Sequence, residues 1–341
     1  MRAIPFEQKC DANDLKITDW PDPTPGEDEV LIRVKAFGLN YADIMARQGQ
    51  YPDAPDFPFI PGYEVAGTVE ALGPGVKGFR KGDKVLAFTP FGGYAELAIT
   101  KTAGCFKLPP KMSFVDAASI PVNFATAYHS LHHTGQIGKG SHVLIHAAAG
   151  GVGLSAIQLA RLAGATIYGT AGSDAKLDLI KGFGVHHPIN YRTQEFDKEI
   201  MRLTDNEGID IILDSIGGSY LKKGAKILRP HGRIVAFGVA SISNRSGLGL
   251  IAALPQVVSM LTLNGITFLS RSLGFYGVNM KAIGDERPEV LAEAMTQVLK
   301  LFKARKIKTV VNHKYSWQEI GAAHELIQSR KSTGKIVLTV D

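Results

Sequence analysis

The sequence predicts an α/β protein in which a rolled β domain precedes a doubly wound parallel sheet. Three observations support this fold class. Short strands separated by glycine and proline fill the first third of the chain, strands and helices alternate from about residue 125, and a glycine turn at Ala148–Gly153 joins a buried strand to an amphipathic helix. Because 341 residues exceed one ordinary domain, we expect two domains, residues 1–124 with 270–341 and residues 125–269.

The N-terminal third is predicted to consist of strands and turns. Glu29–Ala36 alternates partly between apolar and polar residues, as a half-exposed strand does, and Val65–Val69 and Lys84–Phe88 are short strand-like runs next to glycine-containing turns. Ser113 with Asp116 three residues later is close to the capping-box pattern, which indicates that a helix begins there.

The middle of the chain alternates in the way that a parallel sheet with helices on both faces requires. After a strand at Val143–Ile145 and the glycine turn, the predicted elements are a helix to about Leu162, a strand from Ala165, a helix around Lys176–Phe183, a strand at His187–Asn190, a helix near Glu195–Thr204, a strand at Ile209–Asp214, a helix at Tyr220–Leu228, a strand at Arg233–Gly238 and a last strand at Gly265–Leu269. Helices around Pro288–Ala304 and Trp317–Ser329 and a strand at Lys335–Val340 complete the chain.

The glycine turn points free backbone N–H groups at whatever lies before the helix, and these donors favour an anion such as a pyrophosphate. Gly150 allows close approach of a ligand, and Gly153 allows helix and strand to pack closely. Ala148 stands where the first glycine of G-x-G-x-x-G usually lies, so a tight turn without a ligand is the alternative. The βαβ pattern that follows favours a dinucleotide.

The end of the next strand predicts which dinucleotide binds. NAD-dependent enzymes place an Asp or Glu there to hold the ribose 2′-hydroxyl, whereas this strand ends in Ala171-Gly172-Ser173. These small residues leave room for a 2′-phosphate, which Ser173 and Lys176 could bind. We interpret Asp174 as a residue at a helix N-terminus, where a short acidic side chain satisfies free N–H groups. The pattern therefore predicts NADPH.

Composition limits the compartment and the partners. Cys10 and Cys105 cannot form a disulfide framework or a four-cysteine zinc site, which predicts a reducing, cytoplasmic compartment. The net charge of +6 is modest and scattered, so we expect no nucleic-acid partner. The apolar segment Leu248–Leu263 contains Pro255 and is too short to span a bilayer comfortably. It could contact lipid, but we favour that it caps the active site or packs at a dimer interface.

Three motifs carry a family resemblance: Gly38–Asp43, Pro61–Gly67 and Ala147–Gly153. With the order of the domains, they make the chain resemble the medium-chain dehydrogenase/reductase superfamily and, within it, the zinc-independent quinone oxidoreductases. Three further runs resemble the branch that includes the vertebrate vesicle amine transport protein homologues: Ala46–Gly49, Asn123–Tyr128 and Val185–Tyr191. The resemblance implies a GroES-like catalytic domain and a Rossmann domain that binds NADPH.

Two departures from the zinc alcohol dehydrogenases decide the expected chemistry. Those enzymes have a metal-binding Cys where this chain has Asn40 and a metal-binding His where it has Tyr63, and both replacements are poor zinc ligands. We therefore expect no metal site and no Lewis acid to polarise an alcohol. Hydride transfer from NADPH to a quinone or an enone needs mainly alignment.

The resemblance also implies a set of site residues. Asn40, Tyr51 and Thr126 would line the catalytic cleft, and the Tyr51 hydroxyl would hydrogen-bond a substrate carbonyl oxygen, unless Tyr51 is a partly buried structural residue. Arg330 matches a phosphate-binding arginine, although a solvated cation at a helix end is an equal alternative. The full predicted set for the cofactor is Ala148, Gly150, Gly151, Val152, Gly153, Ser173, Lys176, Tyr191, Phe237, Gly238 and Arg330.

The leading functional hypothesis is an NADPH-dependent reductase of quinones or related α,β-unsaturated carbonyls, and a 2-alkenal or enone reductase differs from it mainly in substrate. The alternative from another class is a non-enzymatic NADPH-binding protein with a vesicle, lipid or RNA-binding role. The spacing of His129 and His133 could suit a metal, but a surface or interface role is favoured. We expect a homodimer that pairs Gly265–Ser270, predicted as the edge strand of the sheet.

Overall fold

The computed structural model describes residues 1–241 and 265–341. The chain divides into two compact units: Met1–Ala125 with Met280–Asp341, and Thr126–Asn279. The apolar segment Leu248–Leu263 lies outside the described residues. In the part of the chain that is described, no helix combines the length and the apolar character that crossing a membrane requires.

The N-terminal part of the first unit consists mainly of strands, as predicted. Its strands are β1 (Arg2–Ala3), β2 (Thr18–Asp19), β3 (Glu29–Leu39), β4 (Glu64–Leu72), β5 (Lys84–Phe88), β6 (Leu97–Lys101) and β7 (Cys105–Lys107). Its helices are α1 (Tyr41–Arg47), α2 (Phe114–Ala117) and α3 (Pro121–Tyr128), which continues into the second unit. The predicted helix start at Ser113 is confirmed, because the Ser113 hydroxyl accepts a hydrogen bond from the Asp116 amide at 3.0 Å.

The second unit alternates strands and helices. It contains a π-helical turn (His129–Thr134), β8 (His142–Ile145), α4 (Gly151–Leu162), β9 (Thr166–Ala171), α5 (Asp174–Gly182), β10 (His187–Asn190), α6 (Phe196–Leu203), β11 (Ile209–Asp214), α7 (Ser219–Ile227), β12 (Leu228–Ala236), α8 (Gly265–Ser270) and β13 (Gly274–Gly277). The six strands are all parallel and lie in the order β10-β9-β8-β11-β12-β13. This is the doubly wound Rossmann order, so the predicted fold class is confirmed.

The position of α8 corrects one prediction. Gly265–Ser270 forms a helix instead of the edge strand of the sheet, and β13 occupies that edge through its pairing with β12. A six-residue segment with three large apolar side chains is too short for its periodicity to separate a strand from a helix. Ile266 and Leu269 are 77% and 84% exposed, so neither side chain is held in a core. A dimer that pairs Gly265–Ser270 as strands is therefore excluded.

The C-terminal segment returns to the first unit. It adds α9 (Met280–Glu286), α10 (Pro288–Lys303), β14 (Val311–Ser316), a 3-10 turn (Trp317–Glu319), α11 (Ile320–Gln328) and β15 (Lys335–Thr339). Strand β15 pairs with β3, which gives a seven-stranded sheet in the order β14-β15-β3-β4-β5-β7 with β6 also paired to β3. Apolar side chains of these strands and Trp317 form one buried core. This return closes the rolled β, GroES-like unit.

Candidate functional site

The glycine turn lies where the strand order of the second unit reverses, between β8 and β11. Gly150 is the extended residue before α4, and within the described residues no side chain caps this helix start. The first N–H groups of α4 therefore lack partners inside the helix. A Cβ on Gly153 would lie 2.5 Å from the Ala148 carbonyl oxygen, so only glycine fits there. The turn brings Ala148, Gly150, Gly151, Val152 and Gly153 together at the carboxyl edge of the sheet.

The adjacent strand ends without a carboxylate. Ser173 precedes α5 as its cap residue and Asp174 is the first residue of the helix, so the interpretation of Asp174 as a residue of a helix start is confirmed. The Asp174 carboxylate accepts a hydrogen bond from the side-chain amide of Asn190 at 3.5 Å. Tyr191 follows β10, and its hydroxyl lies directly against Gly172, where any Cβ would collide with it. The ring thus packs on the backbone between Ala171 and Ser173.

A second cation lies beside Lys176. Lys176 is half-buried in the first turn of α5, and burial, followed by the positive charge of Arg192, lowers the pKa of its amine. Arg192 is held in the turn after β10 because its amide donates to the Asn190 side-chain oxygen at 3.1 Å. Sequence reasoning missed Arg192, although a cation directly after Tyr191, a predicted cofactor residue, could have been recognised as a further phosphate-binding candidate. The arrangement is electropositive, which suits a phosphate group.

Phe237 and Gly238 follow β12 at the same carboxyl edge. The Phe237 amide donates to the Asp214 carbonyl oxygen at 2.9 Å, and a Cβ on Gly238 would lie 2.8 Å from the Ser215 carbonyl oxygen. Because all six strands are parallel, the glycine turn, the Ser173 region and this segment share one edge of the sheet. Thr126 is buried in α3 of the same unit.

His146 directly precedes the glycine turn and is buried. Its Nδ1 lies 3.1 Å from the Thr170 hydroxyl, and its ring packs edge-on against Phe196 and Tyr220. Burial lowers the pKa of the imidazole, so the ring is neutral near pH 7. These contacts agree with a packing role beneath the turn.

The first unit contains a buried charged cluster, which consists of Asn40, Glu64 and Lys335. The Lys335 ammonium forms an ion pair with Glu64 Oε1 and donates to the Asn40 side-chain oxygen at 2.6 Å. The Asn40 amide nitrogen donates to Glu64 Oε1 at 2.9 Å, and the other carboxylate oxygen accepts from the Val122 amide at 2.8 Å. Gly38 makes room, because a Cβ there would lie 2.5 Å from Glu64 Oε1. Both side-chain heteroatoms of Asn40 are therefore committed.

Sequence reasoning missed Lys335. It comes from β15, 295 residues after Asn40, and the register that places Ile336 beside Leu39 brings the two together. A single lysine at the start of a mostly apolar strand was the available signal, since lysine is almost never fully buried unless it is paired.

Asp43 is a second buried carboxylate next to this cluster. It accepts a hydrogen bond from the Asn40 amide at 2.8 Å, and burial raises the pKa of its carboxyl to about 7. His324 is also fully buried, with its two ring nitrogens 3.4 Å from the Tyr94 hydroxyl and 3.2 Å from the Arg47 guanidinium. Burial holds the pKa of His324 well below its usual range. These groups anchor α1 to α11.

Tyr51 and Tyr63 belong to an aromatic cluster of the first unit. The Tyr51 ring lies edge-on to Tyr63 at 5.9 Å, and the Tyr63 ring lies 5.1 Å from Phe91. Burial, with the charges of Asp53 and Asp43 as lesser causes, raises the pKa of Tyr51 to about 12, so its hydroxyl stays protonated at neutral pH. Tyr51 is thus a hydrogen-bond donor.

Two further groups that the sequence singled out are Arg330 and the pair of His129 and His133. Arg330 is exposed after α11 in the first unit, with φ of +58°, and its phosphate-binding role stays a prediction. His129 Nδ1 lies 3.1 Å from His133 Nδ1 on the π-helical turn. Between residues 1 and 241 and between 265 and 341, no group of three or more His, Cys, Asp or Glu side chains could hold a metal ion.

Both units of the chain are similar to known protein families. Residues 26–110 match the alcohol dehydrogenase GroES-like domain, and residues 151–282 match the zinc-binding dehydrogenase family. The synaptic vesicle membrane protein VAT-1 homolog of Danio rerio is 36% identical over 92% of this chain, which spans 64% of that relative. The homolog of Rattus norvegicus is 35% identical over 93% of this chain, which spans 78% of that relative. The chain belongs to the medium-chain dehydrogenase/reductase family.

Within this family it lies in the branch of the VAT-1 homologues. The Escherichia coli quinone oxidoreductase complexed with NADPH superposes over 100% of both chains with a TM-score of 0.87 at 29% identity. The CurK enoyl reductase superposes over 100% of this chain and 99% of its own with a TM-score of 0.87 at 28% identity. The chain is therefore an oxidoreductase of this family, and the family resemblance that the sequence motifs indicated is confirmed.

Proposed function

We propose that this protein is an NADPH-dependent, zinc-independent reductase that transfers hydride to quinones or related α,β-unsaturated carbonyls. In this proposal the Rossmann unit holds the cofactor and the GroES-like unit supplies the groups that face the acceptor. The observation that carries the proposal is the edge formed by Ser173, Lys176 and Tyr191, which is electropositive and has no carboxylate at the strand end.

The described residues fit NADPH in two respects, and a similar protein supports the same cofactor. The uncapped start of α4 offers backbone donors for a pyrophosphate, and the glycines of the turn leave room for its approach. Ser173, Lys176 and Tyr191 offer donors for a 2′-phosphate, and Arg192 adds a positive charge. The quinone oxidoreductase that this chain resembles was solved with NADPH. When bound, NADPH supplies the hydride.

The chain's own contribution to the reaction is orientation and hydrogen bonding. As the acceptor gains charge, its oxygen becomes a stronger hydrogen-bond acceptor, and the protonated Tyr51 hydroxyl is the donor that we assign to it. The backbone at Asn40 is fixed by Asp43, and its side chain is fixed by Glu64 and Lys335. In our proposal Asn40 is therefore a rigid wall of the acceptor site, and Thr126 keeps the role that the resemblance implies.

Zinc independence rests on the donor set. The amide of Asn40 is occupied on both of its heteroatoms, and a buried phenol such as Tyr63, whose pKa burial raises further, resists the deprotonation that metal binding requires. Elemental analysis after dialysis against a chelator should find no stoichiometric zinc, and activity should be unchanged. Stoichiometric zinc would contradict the proposal, and His129 and His133 would then be examined first.

Assembly and location are further parts of the proposal. Among the strands that the structure describes, β13 is one edge of the Rossmann sheet, and its Phe275 and Tyr276 are exposed. Pairing of two such edges would cover both, so we propose a homodimer through β13. Sedimentation of the parent as a monomer at micromolar concentration would refute it. The free thiols of Cys10 and Cys105 support a cytoplasmic location.

The test of the function is stopped-flow oxidation of NADPH by the purified protein against a panel of quinones and enones. We expect saturable oxidation with at least one quinone and weaker activity with simple enones. A second candidate function is suggested by the names of the VAT-1 relatives, which are vesicle membrane proteins: this chain would then be a non-enzymatic NADPH-binding protein at vesicles. Tight NADPH binding without turnover of any acceptor would favour this second candidate.

A further inference from the structure

Tyr63 has a buried hydroxyl that is not satisfied. Among the residues that the structure describes, no group accepts from or donates to the Tyr63 oxygen, which solvent does not reach. A buried polar group without a partner destabilises a protein, and each such group in a native fold calls for a cause. A ligand oxygen that arrives at this position is one such cause.

Hydrogen bonds fix the backbone on which the Tyr63 ring is mounted. The Tyr63 carbonyl accepts from the Thr89 amide at 2.9 Å, and the Gly62 carbonyl accepts from the Thr89 hydroxyl at 2.9 Å. The Tyr94 amide donates to the Pro61 carbonyl at 3.0 Å. Gly62 has φ of +103° and packs against Tyr94, where a Cβ would lie 2.7 Å from the ring.

The strained backbone of Phe91 is a second unfavourable feature, and it lies beside the unpaired hydroxyl of Tyr63. Phe91 has φ of +117°, which is unfavourable for a bulky residue. In this conformation the centroid of the Phe91 ring lies 5.1 Å from that of Tyr63, and the ring lies edge-on to Phe59 at 5.5 Å. Tyr51 closes the other side of Tyr63 with its ring at 69° to it. Strain of this kind clusters at ligand-binding sites.

We propose that Tyr63 is a second hydroxyl donor to the acceptor oxygen, and that Tyr51, Tyr63 and Phe91 form an aromatic site for a planar, ring-conjugated carbonyl. This inference rests on the proposed reductase function and narrows its substrate class to quinones with a flat ring. A planar ring can make edge-to-face contacts with these aromatic side chains, whereas an aliphatic enone has no ring to make them. A carbonyl oxygen satisfies the orphaned hydroxyl.

The test uses Tyr63→Phe, which removes one oxygen atom and keeps the ring. Its matched control is Tyr168→Phe, because the Tyr168 hydroxyl is also in a buried residue but lies 3.1 Å from His142 Nδ1. Without ligand, Tyr63→Phe should raise the melting temperature by about 1–4 °C, since the unsatisfied hydroxyl is gone. Tyr168→Phe should lower it, since a made hydrogen bond is lost.

The binding readout is quenching of tryptophan fluorescence by 2,3-dimethyl-1,4-naphthoquinone, whose blocked ring carbons resist addition of the Cys10 thiol. Tyr63→Phe should weaken quinone binding by about 5- to 15-fold, the loss expected for one hydrogen bond. Tyr168→Phe should leave it within twofold. A Tyr63→Phe variant that melts lower, or that binds the quinone as tightly as the parent, would overturn the inference.

The binding experiment contains no NADPH, so it tests the role of Tyr63 in quinone binding separately from the proposed reductase function. A parent that binds the quinone but never oxidises NADPH would refute the reductase function, while the comparison of variants would still decide the role of Tyr63. A parent that reduces the quinone, with Tyr63→Phe unchanged in binding, would refute the role of Tyr63 alone. A parent that does not bind the quinone would refute the aromatic site.

Discussion

The two units present their candidate binding groups in different ways. In the Rossmann unit the donors are backbone N–H groups of a contiguous turn, Gly150–Gly153, together with side chains that flank it at the same sheet edge. In the GroES-like unit the corresponding groups are buried side chains from distant segments, such as Asn40, Glu64 and Lys335. A backbone site tolerates most side-chain changes, whereas a buried cluster of charges fails when one member is removed.

The largest effect is expected from Lys335→Met. It leaves the Glu64 carboxylate buried without its cation, so the free energy of unfolding of the first unit should fall by roughly 3–5 kcal/mol. Trp20 and Trp317 are the two tryptophans of the chain and both lie in that unit, so urea unfolding followed by tryptophan fluorescence reports on it.

The control for this experiment is Lys335→Met combined with Glu64→Gln. Removing the charge of Glu64 should restore part of the lost stability, because no uncompensated carboxylate remains in the core. If the single variant unfolds at the same urea concentration as the parent, the cluster does not stabilise the fold in the way described.

A second effect concerns the pH dependence of stability at Asp43. In an unfolded chain aspartate titrates near 3.9, whereas burial raises the pKa of Asp43 to about 7 in the fold. The folded state therefore binds this proton more tightly, and stability is lost as pH rises from about 4 to about 7, by roughly 4 kcal/mol in total. Asp43→Asn, whose side-chain oxygen can still accept from the Asn40 amide, should remove this loss.

The measurement is the difference in unfolding free energy between parent and variant at pH 4.5 and pH 7.5. Buried His146 and His324 have lowered pKa values, so they make stability fall as pH decreases, which is the opposite sign. Both histidines are present in both proteins, and the difference isolates Asp43. A difference that does not change with pH would show that Asp43 is charged in the fold throughout this range.

The two units also differ in how far their sequence predicted them. The glycine turn, β10 and β11 were predicted within a residue or two, because the signal of a buried strand followed by glycines is local. The charged cluster could not be predicted, since it depends on the register of β15 against β3. The strand predicted at Gly265–Ser270 was wrong because six residues are too few to show a decisive period. Tyr63 was recognised only as the replacement of a metal ligand, since burial of its hydroxyl is a property of the folded loop.

A smaller effect is expected at the cofactor edge from Lys176→Ala. A charge-assisted hydrogen bond contributes about 1.5–3 kcal/mol, so NADPH binding should weaken by about 10- to 150-fold. NADH lacks the 2′-phosphate, and its affinity should change little. Fluorescence titration of both cofactors checks this, and an equal loss for NADH would mean that Lys176 supports the fold instead of contacting the phosphate.

The smallest effect is expected from Tyr51→Phe. If the Tyr51 hydroxyl donates to the developing charge, kcat/KM for a simple quinone should fall about five- to fiftyfold, on the order of 1–2.3 kcal/mol, and kcat should fall with it. NADPH affinity should stay within about twofold, since the hydroxyl is not assigned to the cofactor. Steady-state kinetics with parallel NADPH titration decides this, and an unchanged kcat/KM would reduce Tyr51 to a wall of the pocket.

We propose that the carboxyl edge of the Rossmann unit binds the 2′-phosphate of NADPH. The most direct measurement is the ratio of the dissociation constants of NADPH and NADH for the parent protein, obtained by fluorescence titration at one fixed ionic strength. Because Ala171 leaves the strand end without a carboxylate and Ser173, Lys176 and Tyr191 surround it, NADPH should bind at least tenfold more tightly, which corresponds to about 1.4 kcal/mol. Equal affinity for the two cofactors would contradict the account.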